Sequence, residues 1–173
     1  MIFSATTEYA LRALAHLATL ERGERMLARD LAEETGIPRQ FLGKILHRLA
    51  RLGVLDSAKG RGGGFRFERA PDEIRVAEMV EVFEGEDRMD RCILGIEGCT
   101  DETPCPMHAE WIVCRDQLAA RIYALTMADL GRTLREKGAP PRGTPASADN
   151  GTASTVGAPL GTPPRPAPAP STT

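Results

Sequence analysis

Apolar residues recur at helical spacing through the first half of the chain. Ala10, Leu14 and Leu17 mark a first helix. Ser4 is placed to cap it, and Glu8 falls in its first turn, where a carboxylate suits the positive helix end. A turn at 22–25 precedes a short second helix from Ala28 to Thr35, which stops at Gly36. Pro38 opens a third helix over residues 39–52, with Leu42, Ile45, Leu49 and Leu52 as its expected buried stripe. Arg39, Gln40, Gly43, Lys44, His47 and Arg51 form the opposite, polar face, and Gly53 ends the helix. Residues 54–57 and 65–67 read as short strands around the glycine-rich tip AKGRGGG.

Val76, Met79, Val80 and Phe83 predict a fourth helix ending at Gly85. Residues 86–104 offer few core positions. A long helix is expected over 105–125, with Met107, Trp111, Cys114, Leu118 and Leu125 spaced alternately by four and three, and Arg121 filling one gap. That alternation is the pattern of a coiled-coil seam, so a homodimer through this helix is expected, with Cys114 as a small buried hydrophobe on the seam. Thr126 and Asp129 read as the capping box of a last short helix. The fold class is thus mainly α with a small β-wing: a winged helix-turn-helix domain plus a long dimerisation helix. The division is 1–85 for the DNA-binding domain, 86–108 for a metal-holding loop, 105–137 for the dimerisation helix and last helix, and 138–173 for a tail.

Composition supports the tail. Residues 138–173 are dominated by Pro, Gly, Ala, Ser and Thr. Such a segment buries too little apolar surface to offset the entropy of ordering it, and disorder is expected. The net charge of −2 is unevenly spread. Residues 29–69 hold nine Lys/Arg against five Asp/Glu, whereas residues 72–102 hold eleven Asp/Glu against three Arg. A basic half beside an acidic one fits a nucleic-acid reader joined to a second function. No run of 18 apolar residues suggests a membrane span, and the N-terminus lacks the basic lead of an export signal. A cytoplasmic location is expected, where the four cysteines point to metal or redox work before disulfides.

A helix, a tight turn at Gly36 and a second helix with a polar face make the helix-turn-helix pattern, whose second helix enters the major groove of double-stranded DNA. Gln40 can pair bidentately with adenine and Arg39 with guanine. Lys44, Lys59 and Arg61 suit phosphates, which set register without reading sequence. His47 and Arg51 complete the candidate DNA face, while His16 reads as structural. The tip GRGGG is no phosphate-binding P-loop, because strands flank it and no Gly-Lys-Ser/Thr opens a helix.

Cys92, Cys99 and Cys105 are separated by six and five residues, and His108 follows three positions later. With the long helix starting near Pro104, Cys105 and His108 would lie one turn apart on one face. Three thiolates and an imidazole make a four-ligand set. Structural zinc sites favour tight C-x2-C knuckles, which are missing here, so an iron–sulfur cluster of either 2Fe-2S or 4Fe-4S type is expected, with zinc as the alternative. A deaminase reading fails, because its H-x-E motif must precede P-C-x-x-C, whereas His108–Glu110 overlaps it. With no catalytic constellation and no pattern for a small-molecule substrate, the chain reads as a non-enzyme.

The segments TTEYALRAL, KGRGGGFRF, VAEMVEVFEG, PCPMHAEW and TMADL, with the three cysteines, resemble the Rrf-two family of bacterial winged-helix transcription regulators, of the IscR- and NsrR-like kind. The likeness covers about residues 1–131. It implies a homodimer whose cluster sits on Cys92, Cys99 and Cys105 near the interface. In one family pattern the histidine matching His108 is the fourth ligand, which is favoured here. In another, an acidic residue of the partner subunit's first helix serves, and Glu8 matches it. A recognition-helix glutamate that discriminates between site classes in the first pattern is replaced here by Gly43. The expected function is a sequence-specific regulator, foremost a repressor, whose DNA binding answers to redox state, nitric oxide, iron or cluster supply. The alternatives are a zinc-stabilised regulator without sensing and a small iron–sulfur electron carrier.

Overall fold

The computed structural model describes residues 2–85 and 90–138. The expected disordered tail lies outside the described residues from 139 onward, as do residues 86–89 of the expected metal-holding loop. The elements are α1 (Ala5–Leu17), α2 (Ala28–Thr35), α3 (Arg39–Arg51), β1 (Leu55–Ala58), β2 (Gly64–Phe67), a 3-10 turn (Pro71–Glu73), α4 (Val76–Glu84), α5 (His108–Ala124) and α6 (Met127–Glu136). Among the described residues, no helix is long and apolar enough to cross a membrane.

Helix α1 is the hub. It packs against α2, α3, α4 and α6. Its buried positions include Ala10, Ala13, Leu14 and Leu17, and the alanines let neighbouring helices approach closely. Leu31, Ile37, Leu42, Leu46, Leu49, Leu55, Ile74, Met79 and Met127 complete the most deeply buried core. Ser4 caps α1 as expected, its hydroxyl accepting from Thr7 N. Gly36 closes α2 in the left-handed conformation, at φ 68°.

Two sequence expectations are corrected. The buried stripe of α3 is Leu42, Ile45, Leu46 and Leu49. Leu52 is the C-cap, 54% exposed, because the helix stops before its turn can face inward. The long helix starts at His108, not Cys105. Pro106 disfavours helical backbone at the residue before it, so Cys105 stays in the loop. Cys114, expected on a seam between two subunits, is exposed on the single chain, where α5 meets the core chiefly near Ile122, its one buried residue.

Helix α6 folds back onto α1. Thr126 and Asp129 form the expected capping box. Val76 N donates to Leu125 O at 2.9 Å and Met127 N to Ile74 O at 2.9 Å, fastening the α5–α6 junction beside the start of α4. Arg135 Nη1 reaches Ala18 O at 2.9 Å.

The wing is an antiparallel hairpin in the register Leu55↔Phe67 to Ala58↔Gly64. It is not free at its base. Met26 and Phe65 exchange backbone hydrogen bonds of 3.0 and 2.8 Å. Arg25 ion-pairs with Asp56 and donates to Gly64 O at 3.3 Å, while Arg66 Nε donates to Asp56 at 3.1 Å. The Arg25 guanidinium, and then Arg66, hold the Asp56 carboxyl below the usual carboxylate range. This contribution is complete above the ordinary carboxylate pKa and fades only as pH falls through the lower folded value. Gly64 has φ 127°, and a Cβ there would lie 2.5 Å from Met26 O. Gly64→Ala combines backbone strain with a clash against main chain, and is expected to cost about 2–3 kcal/mol. A lower urea midpoint at unchanged slope is the measurement that checks it.

Candidate functional site

The thiols of Cys92, Cys99 and Cys105 converge within 4.8 Å of one another, each half-buried. Cys92 Sγ and Cys105 Sγ are 3.6 Å apart. The loop that holds them owes little to apolar burial: Ile93, Leu94 and Ile96 are about half exposed. Polar bonds frame it instead. The Trp111 indole donates to Arg91 O at 2.9 Å, and Arg115 lies 3.7 Å from Asp90. Thr100 Oγ1 accepts from the backbone N–H groups of Glu102 and Thr103 at 3.2 and 3.3 Å.

His108 joins the thiols although Cys105 is not on its helix. It is the first residue of α5, and its backbone N–H donates to Cys105 O at 3.0 Å. Its Nε2 lies 2.8 Å from Asp101 Oδ1, and its Nδ1 is 3.2 Å from Cys99 Sγ. The Asp101 carboxylate favours the proton on Nε2, which leaves the Nδ1 lone pair facing the sulfurs. The three sulfurs make the candidate metal site, and the imidazole stands at its edge, against the Cys99 sulfur but outside the 4.8 Å group that the thiols form. Glu8 lies on the first turn of α1, half-buried, and is not among the groups that meet at the thiols within one chain. Asp101 was absent from the sequence reading: seven residues before His108 and fully polar in context, it carries no local signal of its partner.

The thiols do not share one acidity. Backbone hydrogen bonds from Ile96, and then Leu94, outweigh partial burial and bring Cys92 down to about 7. At Cys99 a backbone hydrogen bond from Cys105 favours the thiolate, but burial and the neighbouring thiols of Cys105 and Cys92 outweigh it and push Cys99 up. In metal-free protein, iodoacetamide modification of Cys92 should therefore rise through pH of about 7, with Cys99 lagging to alkaline pH. Peptide mass spectrometry against pH reads this directly; equal rates at neutral pH would contradict it.

The second candidate surface is α3 with the wing. Gln40, Lys44, His47 and Arg51 are exposed along one face, and Lys59 and Arg61 are exposed at the hairpin tip. Gln40, Lys44, Arg51, Lys59 and Arg61 have no ion pair among the described residues. Arg39 is exposed too, but its Nη2 bonds Glu33 Oε1 at 2.7 Å. An exposed pair of this kind is worth at most about 1 kcal/mol, so a base or phosphate can displace Glu33. His47 packs edge-on to Phe65 of β2, with ring centroids 5.7 Å apart, which ties the reading helix to the wing. Gly43 lies in the same face, and a Cβ there would meet nothing within 4 Å. His16 is buried 3.6 Å from Glu34, away from this surface, and burial lowers its pKa despite Glu34.

Proteins similar to this chain in sequence are named as transcription regulators. A protein of Aquifex aeolicus provisionally named an HTH-type transcriptional regulator is 36% identical over 132 residues, 75% of this chain and 91% of its own. The HTH-type transcriptional repressor NsrR of Streptomyces coelicolor is 34% identical over 134 residues, 72% of this chain and 84% of its own. Among solved structures, CymR, the global cysteine regulator of B. subtilis, superposes with a TM-score of 0.62 at 24% identity, covering 76% of this chain and 96% of CymR. IscR of T. potens gives 0.60 at 21% identity, covering 78% and 88%. These structural likenesses establish the winged-helix fold. The sequence pattern of the Rrf2 family, described as iron-dependent transcriptional regulators, matches residues 3–133, and the chain belongs to that family.

Proposed function

We propose that the chain is a homodimeric, sequence-specific DNA-binding repressor whose operator affinity is set by an iron–sulfur cluster on Cys92, Cys99, Cys105 and His108. The observation that carries this reading is the convergence of three thiols on the segment between α4 and α5, with the His108 Nδ1 at the start of α5 against the Cys99 sulfur. The iron dependence in the family description and the thiolate-rich donor set support iron. When bound, the cluster supplies a redox-active, chemically labile positive centre. The chain's own residues do the rest. The thiols and His108 hold the centre, with Asp101 orienting the imidazole. Trp111 and Arg115 fasten the loop to α5. Gln40 and Arg39 read base edges, His47 and Arg51 line the same face, and Lys44, Lys59 and Arg61 neutralise phosphates. The apolar and half-exposed positions of α5 supply the dimer contact, and two reading helices then address half-sites about one DNA turn apart. Glu8 of a second subunit is the alternative fourth ligand.

A zinc-stabilised regulator is the second reading, and one observation favours it. Ligand bonds of about 2.3 Å around a tetrahedral zinc place sulfurs roughly 3.8 Å apart, near the Cys92–Cys105 separation of 3.6 Å. Metal analysis and a visible spectrum of protein purified without oxygen separate the two. Brown protein containing iron and sulfide is expected; colourless protein with one zinc per chain would overturn the cluster reading. His108→Ala should reduce cluster retention at least about tenfold, with Glu8→Ala as the comparison. On selected duplex DNA, Lys59→Ala and Arg61→Ala should each lower the salt slope by about 1, whatever the sequence. Gln40→Ala should relax preference at one base pair by about 1–3 kcal/mol.

A further inference from the structure

A polar chain leads from the thiols to the recognition helix without passing through the DNA face. Cys92 follows Arg91, whose carbonyl accepts from Trp111 Nε1 of α5 at 2.9 Å, and Asp90, which faces Arg115 of α5. Near the other end of α5, the Tyr123 hydroxyl donates to Glu81 Oε1 of α4 at 2.8 Å. The next two residues of α4 are held from α3. Arg48 Nη2 donates to the Val82 carbonyl, and the Arg48 guanidinium carbon stands 4.9 Å from the Phe83 ring centre. The last residue of the helix, Glu84, accepts from the backbone N–H of Ser4 at 2.6 Å and from the hydroxyl of buried Thr7. The final turn of α4 thus touches the recognition helix and the start of α1.

This arrangement has a physical reason. Carbonyls in the last turn of a helix lack intrahelical partners, and a cation there also meets the negative end of the helix dipole. Arg48 satisfies one such carbonyl and stacks on the adjacent ring with the same planar group, which a lysine cannot do. Arg48 stands one turn from Lys44 and from Arg51, at the edge of the Gln40–Lys44–His47–Arg51 face, and its hydrogen bond and ring contact go to α4.

The geometry points to Arg48 and Tyr123 as positioning residues that couple the thiol loop to the recognition helix through the last turns of α4. This rests on the reading of the thiol loop as a metal-controlled switch. Filling the thiols restrains residues 90–92. Trp111 and Arg115 pass that restraint to α5, Tyr123 passes it to Glu81, and Arg48 carries it from the end of α4 to α3. Two elements that share one rigid contact move together, and the coupling is reciprocal: DNA bound to α3 tightens the hold on the metal.

The test compares two states of each chain: loaded with iron and sulfide under argon, and metal-free. The probe is a duplex selected from a random pool by the wild-type protein. Wild type should show at least about a fivefold affinity difference between the states. Arg48→Ala and Tyr123→Phe should bring that ratio below about twofold while retaining the same iron content. A lost phosphate contact would weaken both states alike and leave the ratio intact, so the ratio distinguishes coupling from DNA contact. Amide exchange across residues 46–52 is the second readout. Loading should slow it in wild type and leave it unchanged in both variants. Tyr123 is an exposed residue that loses one hydroxyl, so its variant remains informative if Arg48→Ala fails to fold. A full wild-type ratio in Tyr123→Phe, or in a folded Arg48→Ala, overturns the coupling route while the metal-controlled regulator stands. A wild-type ratio of one overturns both.

Discussion

Thiolates crowded within 4.8 Å of one another repel, and a positive centre among them removes that repulsion. Each thiolate raises the cost of the next. The divided acidities of Cys92 and Cys99 express this: hydrogen bonds from backbone N–H groups relieve the first, and the crowd of sulfur burdens the second. A cation removes the conflict and turns mutual repulsion into shared attraction. Beyond a few polar bonds the loop has little apolar burial to hold it in shape, because Ile93, Leu94 and Ile96 are about half exposed. Its order therefore depends on chemistry that can be gained or lost, unlike the order of an apolar core.

The remainder of the fold is built the other way. Helix α1 gathers four helices around small and aliphatic side chains, α6 is fastened back onto it, and the wing is clamped at its base by Arg25, Asp56 and Met26. His47 against Phe65 keeps reading helix and wing in one relation. A stiff reader joined to a chemically conditional loop makes a regulator economical. Under the proposed function the reader need not refold; only its orientation has to answer to the loop.

Much of this was visible in local patterns. Ser4, Gly36, the Thr126–Asp129 capping box and the glycine-rich wing each announce themselves within a few residues. The candidate ligands were legible from their thiol and imidazole chemistry, even though the expected helical register between Cys105 and His108 was mistaken: Pro106 delays the helix. The choice of Leu46 over Leu52 depended on where α3 stops, which a periodic pattern running to the helix end does not show. Cys114 read as buried because a seam was assumed, and on the single chain that face is open. Asp101 beside His108, Arg48 beneath Val82, and Glu84 at the head of α1 were out of reach. Each joins residues whose proximity is created by tertiary packing, and none carries a spacing rule.

Gly43 leaves a vacancy at the centre of the reading face, one helical turn from Gln40 and one from His47. Nothing occupies the space a side chain would take, and the backbone there is ordinary helix. Glycine is among the poorest helix formers, so most replacements would also firm the helix. A single codon change can therefore add a hydroxyl, an amide, a carboxylate or a guanidinium to the groove-facing surface without disturbing the core. Base preference at this surface can thus change independently of the thiol group, which lies on a separate segment of the chain.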